Sequence, residues 1–261
     1  MLDFHNHLIP GVDDGASDAD QAREALAAMR EQGVDTVIAT PHLKGTVTES
    51  RDALARRLAE LDRGWDELRR VAGAEFPGMK LARGVELMLD SPRPDLSDER
   101  VRLAGSSFVL VEFASMTVPN RSTDVLFSLA MDGVRPVVAH PERYSNLAGR
   151  VEELVGEWKR TGAFLQVNSG SLAGRYGEKV ERLAWELLEI GCVDYLSSDY
   201  HARGRLSVRE CRAAFERAGG LAQFELLTEG NPRRLLSDEL PEPVPPLSRR
   251  KGLLRRLLGR A

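Results

Sequence analysis

Hydrophobic and polar positions alternate along this chain with two different periods. Short β-branched and apolar runs predict strands at Leu2–Phe4, Thr36–Thr40, Lys80–Val85, Phe108–Phe113, Arg135–Ala139, Ala163–Asn168 and Val193–Ser197. Between them, apolar residues recur at helical spacing. The first helix opens at Ser17, an N-cap residue with Asp18 and Asp20 in the first turn, buries Ala22, Ala25, Leu26 and Met29, and stops at Gly33. A long charged helix is expected from about Ser50 to Val71, its stripe made by Leu54, Leu58, Leu61, Trp65 and Leu68. Further helices fit Ser122–Met131, Val151–Arg160, Glu178–Glu189, Ser207–Ala218 and Asn231–Leu236. Residues 91–98 read as loop, because Pro92 and Pro94 forbid regular pairing. Seven strands alternating with helices predict an α/β fold of parallel βα units, whose functional groups gather at the C-terminal strand ends.

The 261 residues suit one such barrel, and no internal repeat or second domain is visible. With 42% hydrophobic and 29% charged residues, the chain is an ordinary globular one. The expected division is a body over residues 1–240, then a Pro-rich linker, Pro241-Glu242-Pro243-Val244-Pro245-Pro246, and a basic tail to residue 261. Six basic residues and no acid fall within 249–261, so the net charge of −4 leaves −10 on the rest. An acidic body argues against a nucleic-acid partner. Cys192 and Cys211 imply no disulfide framework, and the start of the chain lacks the pattern of a secretory signal. No apolar run approaches a membrane span, so a cytoplasmic address is expected.

The candidate chemistry lies in the histidines. His5 and His7, separated by one residue at a strand end, place both imidazoles on one face. Alone this is a weak signal. The other three histidines, His42, His140 and His201, also follow short apolar runs, and none falls on an expected helix surface. Glu86, Glu112 and Asp199 sit the same way, and Asp13 or Asp14 joins from the loop after the first strand. Nine nitrogen and oxygen ligands without a thiolate exceed one ion's needs. They suit two or three divalent ions bridged by carboxylates, with Mn²⁺, Zn²⁺ or Fe all compatible.

Several segments together resemble a known family: His5-Asn6-His7, Asp13-Asp14-Gly15, Thr40-Pro41-His42, Gly84-Val85-Glu86, Val111-Glu112-Phe113, His140-Pro141-Glu142-Arg143-Tyr144, Gln166-Val167-Asn168-Ser169 and Ser198-Asp199-Tyr200-His201. They are similar to the polymerase-and-histidinol-phosphatase (PHP) superfamily, and within it to the bacterial capsule and exopolysaccharide tyrosine-phosphatase branch. The likeness covers about residues 1–236. It implies a distorted seven-stranded (β/α) barrel and a trinuclear metal site. By that pattern one ion takes His5, His7, Glu86 and Asp199, a second Glu86, Glu112 and His140, and a third Asp14, His42 and His201. Arg143 is implied as a phosphate-binding arginine. Because the Ala-Arg-Gly-Arg run after His201 is a residue shorter than the family pattern, Arg205 is chosen over Arg203 as the second. The implied reaction is hydrolysis of phosphotyrosine on the tail of a membrane-associated tyrosine kinase that drives polysaccharide export. Alternatives are a small-molecule phosphatase, such as one acting on histidinol phosphate, and a metal-stabilised interaction module without activity.

Cys211 and Arg217 match the Cys-x5-Arg spacing of thiol-dependent tyrosine phosphatases. The residues between them are helix formers without glycine, and a helix spends its amides on itself instead of cradling a phosphate. In the tail, Leu247, Leu253, Leu254, Leu257 and Leu258 fall on one helical face, with Arg249, Arg255, Arg256 and Arg260 largely on the other. That pattern suits peripheral contact with an anionic membrane surface.

Overall fold

The computed structural model describes residues 1–247. Nine strand segments appear in chain order: β1 (Leu2–Asp3), β2 (Thr36–Ala39), β3 (His42–Lys44), β4 (Lys80–Arg83), β5 (Glu86–Met88), β6 (Phe108–Glu112), β7 (Arg135–Ala139), β8 (Phe164–Asn168) and β9 (Tyr195–Ser197). All pairings are parallel, in a three-stranded sheet ordered β1-β2-β4 and a six-stranded sheet ordered β3-β5-β6-β7-β8-β9. The expected α/β class with parallel strands therefore holds, but the sheet is divided in two. The division falls where the second and third expected strands break. Thr40-Pro41 separates β2 from β3, and Gly84-Val85 separates β4 from β5. Pro41 has no amide to give a ladder. Gly84 lies so close to the neighbouring chain that a Cβ there would stand 2.9 Å from the Arg102 carbonyl oxygen.

At the far end of the strand order, the chain after β1 meets the chain after β9. The Asp199 amide donates to the His5 carbonyl (2.7 Å), and the His7 amide donates to the Tyr200 carbonyl (2.9 Å). Asn6 and Tyr200 form a parallel bridge. Regular alternation fails just before this point. The successive amides of Phe4 and His5 both donate to Ser197 Oγ, at 2.9 and 3.0 Å, whereas in a flat strand they would point to opposite sides. Leu2 and Phe4 belong to the inner core, and the histidines two-apart at 5 and 7 then face the same cluster of ligands.

Apart from β4 and the end of β3, the strands are buried on both faces, as parallel sheets covered by helices require. A larger core fills the space between sheet and helices. A smaller inner one, including Phe4, Ile38, Phe108, Leu110, Val137 and Tyr195, plugs the interior. Phe4 and Phe108 both meet the Tyr195 ring edge-on. Phe108 and Leu110 share their inward face with Glu112 by strict alternation, so the plug ends and the acid follows directly above it.

Helices Ser122–Met131, Val151–Arg160, Glu178–Glu189 and Asn231–Leu236 keep their expected bounds. The first helix does not start from Ser17. Asp18 is its cap, accepting from the Gln21 amide (2.9 Å), and Ser17 Oγ donates to that same carboxylate. The long helix runs on to Glu75, with Ser50 accepting from the Ala53 amide. The helical turns over Leu221–Gly230 have too short an apolar pattern, after Gly219-Gly220, to be read in advance. No helix among the described residues is long and apolar enough to cross a membrane.

The body does not stop at residue 240. Glu242 exchanges two hydrogen bonds with the Asn231 side chain (2.8 and 3.0 Å). The Leu247 amide donates to the Leu188 carbonyl (3.0 Å), and the Val244 and Leu247 side chains are buried. The Pro-rich run expected to separate body from tail is thus a strap on the body. Leu247, assigned on sequence to the tail's apolar face, is held in the core instead. The remaining tail positions lie outside the described residues.

One glycine is fixed by close approach. A Cβ on Gly15 would fall 2.0 Å from the His7 carbonyl oxygen and 2.4 Å from its Cβ. Gly15→Ala is expected to destabilise the protein by about 1–3 kcal/mol through overpacking. Gly78→Ala, where a Cβ meets nothing within 4 Å, is expected to leave the thermal midpoint unchanged. Thermal unfolding of the two variants beside the parent checks this.

Candidate metal centre

The nine ligands expected from sequence converge at the C-terminal strand ends, in overlapping groups whose ligand atoms lie within 4.8 Å of one another. Glu86, at the start of β5, joins two of these groups and lies against four of the histidines. Its oxygens lie 3.2 Å from His5 Nε2, 3.4 Å from His7 Nε2, 3.1 Å from His42 Nδ1 and 2.9 Å from His140 Nε2. Glu112 stands 3.4 Å from His42 Nδ1. Asp199 Oδ1 stands 3.3 Å from His5 and 3.5 Å from His7. Asp14 Oδ1 stands 3.4 Å from Nε2 of both His42 and His201. The groups differ from the expected partition in detail: His7 also joins Asp14, His42 and His201, while Asp199 groups with His5 and His140.

Two of these residues are aimed by left-handed backbone. His140 has φ 36° and Asp199 φ 54°, conformations that cost energy for non-glycine residues and cluster at functional sites. Val137 and Ala139 already face inward, so alternation alone would turn His140 away; the left-handed step turns it back.

Asp13 and Asp14 separate clearly. Asp13 accepts from or faces His7 Nδ1 (2.8 Å) and accepts from the His42 and Gly15 amides (3.1 and 3.0 Å), behind the ligands. Asp14 faces the cluster. Gln166 Oε1 lies 2.7 Å from His5 Nδ1, and Asn168 Nδ2 donates to Asp199 (2.7 Å). With Nδ1 of His5 and His7 each held from behind, the hydrogen bonds assign Nε2 as the bare nitrogen facing the cluster. Sequence reading gave Asp13, Gln166 and Asn168 no such role; the available signal was the two-residue spacing of Gln166 and Asn168 on one strand face.

The buried Nε2 of His5 and His7 and the Nδ1 of His42 have no hydrogen-bond partner. Buried polar atoms are rarely left so, and three imidazole nitrogens converging on carboxylates form a donor set fitted to divalent cations. The charge balance agrees. Burial opposes protonation of His7, but the Asp13, Asp199 and Glu86 carboxylates around it outweigh burial and hold its pKa well above the usual imidazole value. His42, likewise opposed by burial, is pushed up to about 10 by Glu112 and Glu86. Burial would neutralise Glu86, yet His5, His140 and His42 hold its carboxyl well below the usual range. The carboxylates demand positive charge that protons only partly supply, and metal ions bind such sites by displacing those protons.

On one side of the cluster lies a cavity of about 270 Å³ whose lining includes Arg175, Tyr176, Asp199, His201, Arg203 and Arg205. Arg143 borders it, donating to Asp199 Oδ2 (2.7 Å) with its guanidinium over the Tyr176 ring at 4.8 Å. Arg205, preferred on sequence, instead pairs with Glu210, while Arg203 reaches the Asp14 carbonyl and carboxylate. Glu142 is buried beneath, accepting from Ser171 Oγ (2.6 Å) and the Asn168 amide (2.9 Å), which ties the Arg143 turn to β8. Cys211 is fully buried inside helix Val208–Ala218, and burial pushes its thiol pKa up.

The scaffold and the site together define a class: an α/β fold of parallel strands carrying, at its strand ends, a cluster of histidines and carboxylates in groups that could hold metal ions. The chain belongs to the family of capsular polysaccharide synthesis proteins CpsB/CapC, whose profile matches residues 1–237. It is 31% identical over 258 residues to the tyrosine-protein phosphatase YwqE of Bacillus subtilis, covering 96% of this chain and 98% of that one. It is 28% identical over 250 residues to the tyrosine-protein phosphatase CpsB of Streptococcus pneumoniae, covering 92% and 100%. Among solved structures it resembles one from work on YwqE and CpsB, described there as metal-dependent tyrosine phosphatases, with a TM-score of 0.79, 28% identity and 95% and 100% coverage. The histidinol phosphate phosphatase of Lactococcus lactis shares the fold at 14% identity and a TM-score of 0.50, covering 84% and 93%.

His42→Ala and His201→Ala are expected to lower the metal content of the purified protein. Arg143→Ala is expected to keep its metal and lose about 10²–10³-fold in turnover. Asp13→Ala keeps every ligand but should weaken metal affinity by about 10–100-fold. Elemental analysis and metal titration of the four variants decide; equal metal loss in Arg143→Ala would make that arginine structural.

Proposed function

We propose that this chain is a metal-dependent protein tyrosine phosphatase regulating capsular or exopolysaccharide synthesis. The observation that carries the reading is the convergence of unpartnered imidazole nitrogens on Glu86, bordered by an arginine, in a chain of this family. His5, His7, Asp14, His42, Glu86, Glu112, His140, Asp199 and His201 hold two or three divalent ions, with manganese the first choice and zinc or iron also compatible with the donors. Such ions neutralise phosphoryl oxygens and lower the pKa of a bound water toward ~7. Phosphotyrosine brings about −1.5 to −2 charges, and Arg143 donates to its phosphoryl oxygens in a plane fixed by Asp199 and Tyr176. Arg203 or Arg205 completes the cationic wall; Arg205 would first release Glu210.

The nine strand segments read as seven barrel positions, with β2/β3 and β4/β5 each an interrupted strand and the Asn6–Tyr200 bridge supporting closure. The substrate is a phosphotyrosine protein, with the tail of a membrane-associated kinase at the cytoplasmic face the leading candidate. A small-molecule phosphatase uses the same ligands and differs in the cavities beside them. Every ligand position is filled, which disfavours a module without activity.

With manganese present, the protein is expected to hydrolyse a phosphotyrosine peptide in preference to histidinol phosphate. A chelator should abolish this, and Cys211→Ala should retain turnover near the parent value. Loss of activity in a folded Cys211→Ala variant would overturn the metal assignment. The basic residues from 249 onward are proposed to contact an anionic membrane, each contributing ~1 kcal/mol at best. Deleting residues 248–261 should weaken co-sedimentation with phosphatidylserine vesicles at low salt and leave hydrolysis of a small aryl phosphate unchanged. Failure of the full-length protein to bind such vesicles removes the membrane role alone.

A further inference from the structure

A second cavity, of about 650 Å³, opens on the other side of the cluster. Asp14, His42 and Glu112 stand in its wall, so it is continuous with the metal centre. The rest of that wall exposes mainly carbon, from Val12 in the loop after β1, Leu43 and Val47 in β3 and the turn after it, Met88 in β5 and Met116 beyond β6, with Asp13, Lys44, Arg57 and Ser115 among them. Its size is that of a site for a small organic group. Arginines line the opposite cavity, and Arg143 stands beside it, so the centre has a cationic side and an apolar side.

The apolar side is built at a cost. Ser115 and Met116 are both left-handed, with φ 61° and 49°, and a bulky non-glycine residue there is a backbone outlier. The turn is held by the Ser145 amide, which donates to the Met116 carbonyl (3.0 Å) one residue beyond Tyr144. Tyr144 in turn accepts from the Phe113 amide (3.0 Å). The methionine over the apolar cavity and the arginine beside the cationic one are therefore fixed by the same loop contact. Arg57 ties two more parts of the wall together, donating to the Val12 and His42 carbonyls (2.9 and 3.0 Å).

An aryl phosphate is a molecule with the same asymmetry, a dianion at one end and a flat hydrocarbon at the other. We propose that the cavity walled by Val12, Leu43, Val47, Met88 and Met116 seats the aromatic ring of the substrate while its phosphoryl group lies at the metal centre, which selects aryl over alkyl phosphates. This rests on the phosphatase reading. A polar, cationic leaving group such as histidinol would gain nothing from these walls, whereas a phenol ring is removed from water on both faces.

The test is made on manganese-loaded protein with phosphonates, which bind and are not hydrolysed. By calorimetry, phenylphosphonate should bind at least about tenfold more tightly than methylphosphonate, from the apolar area buried. Val47→Asn and Met88→Asn approach the cavity from different segments, and neither residue is itself a candidate ligand. Each should reduce the phenyl preference to about twofold or less, leave methylphosphonate affinity and metal content at parent values, and lower kcat/KM for a phosphotyrosine peptide. A parent protein without phenyl preference overturns the proposal. So does a preference that survives both substitutions, including the case where only peptide KM rises and the cavity receives a flanking residue instead. Intact phenyl preference without hydrolysis of phosphotyrosine would sink the phosphatase reading and leave the ring site standing.

Discussion

The fold is organised around a carboxylate held where a carboxylate should be least stable. Glu86 is almost wholly buried, and an isolated charge there would be prohibitively expensive. It persists because four imidazoles from three separate strand ends meet it, at distances of 2.9–3.4 Å. None of those elements reaches it by regular strand geometry alone. β4 must break at Gly84-Val85 before β5 begins with Glu86, and Pro41 must interrupt the neighbour so that His42 pairs beside it. The chain after β7 must step through a left-handed residue to present His140. The departures from ideal sheet are the means by which the strand ends become a centre of charge.

The same economy of contacts links centre to periphery. The ligands are oriented from behind by Asp13 and Gln166, and Asn168 bridges to Asp199, whose other bond goes to Arg143. Disturbing one residue of this network therefore changes the direction of its neighbours, and residues that touch no cation still set the affinity for one. Beneath, the aromatic plug of Phe4, Phe108 and Tyr195 keeps the interior dry up to the level at which the acids begin.

Much of this was legible in the sequence because the two periods are clean. Ser122–Met131, Arg135–Ala139 and Glu178–Glu189 appear where the pattern puts them. Eight of the nine candidate ligands follow short apolar runs, Asp14 coming from the loop after the first strand, and the structure brings all nine together. What could not be read is what local periodicity does not encode. A three-residue strand leaves too little pattern to read, so β3 and β5 went unseen just beyond the expected strand ends at Thr40 and Val85. Asp13 and Asp14 are adjacent and chemically identical; only the fold decides that one backs His7 and the other faces His201. Arg203 and Arg205 pose the same problem on a loop where no periodicity exists. A proline-rich run signals an absence of helix and sheet, and does not reveal that Val244 and Leu247 find pockets on the body.

That strap fixes a direction. Leu247 is anchored beside Leu188, and Glu242 on Asn231, whose amide also bonds the Asp194 carbonyl just ahead of β9. These contacts lie at the floor of the fold, and the candidate ligands cluster at the opposite rim. The described chain thus departs from the pole opposite its own chemistry. A partner docked at that pole would leave the cluster of histidines and carboxylates open on the opposite face.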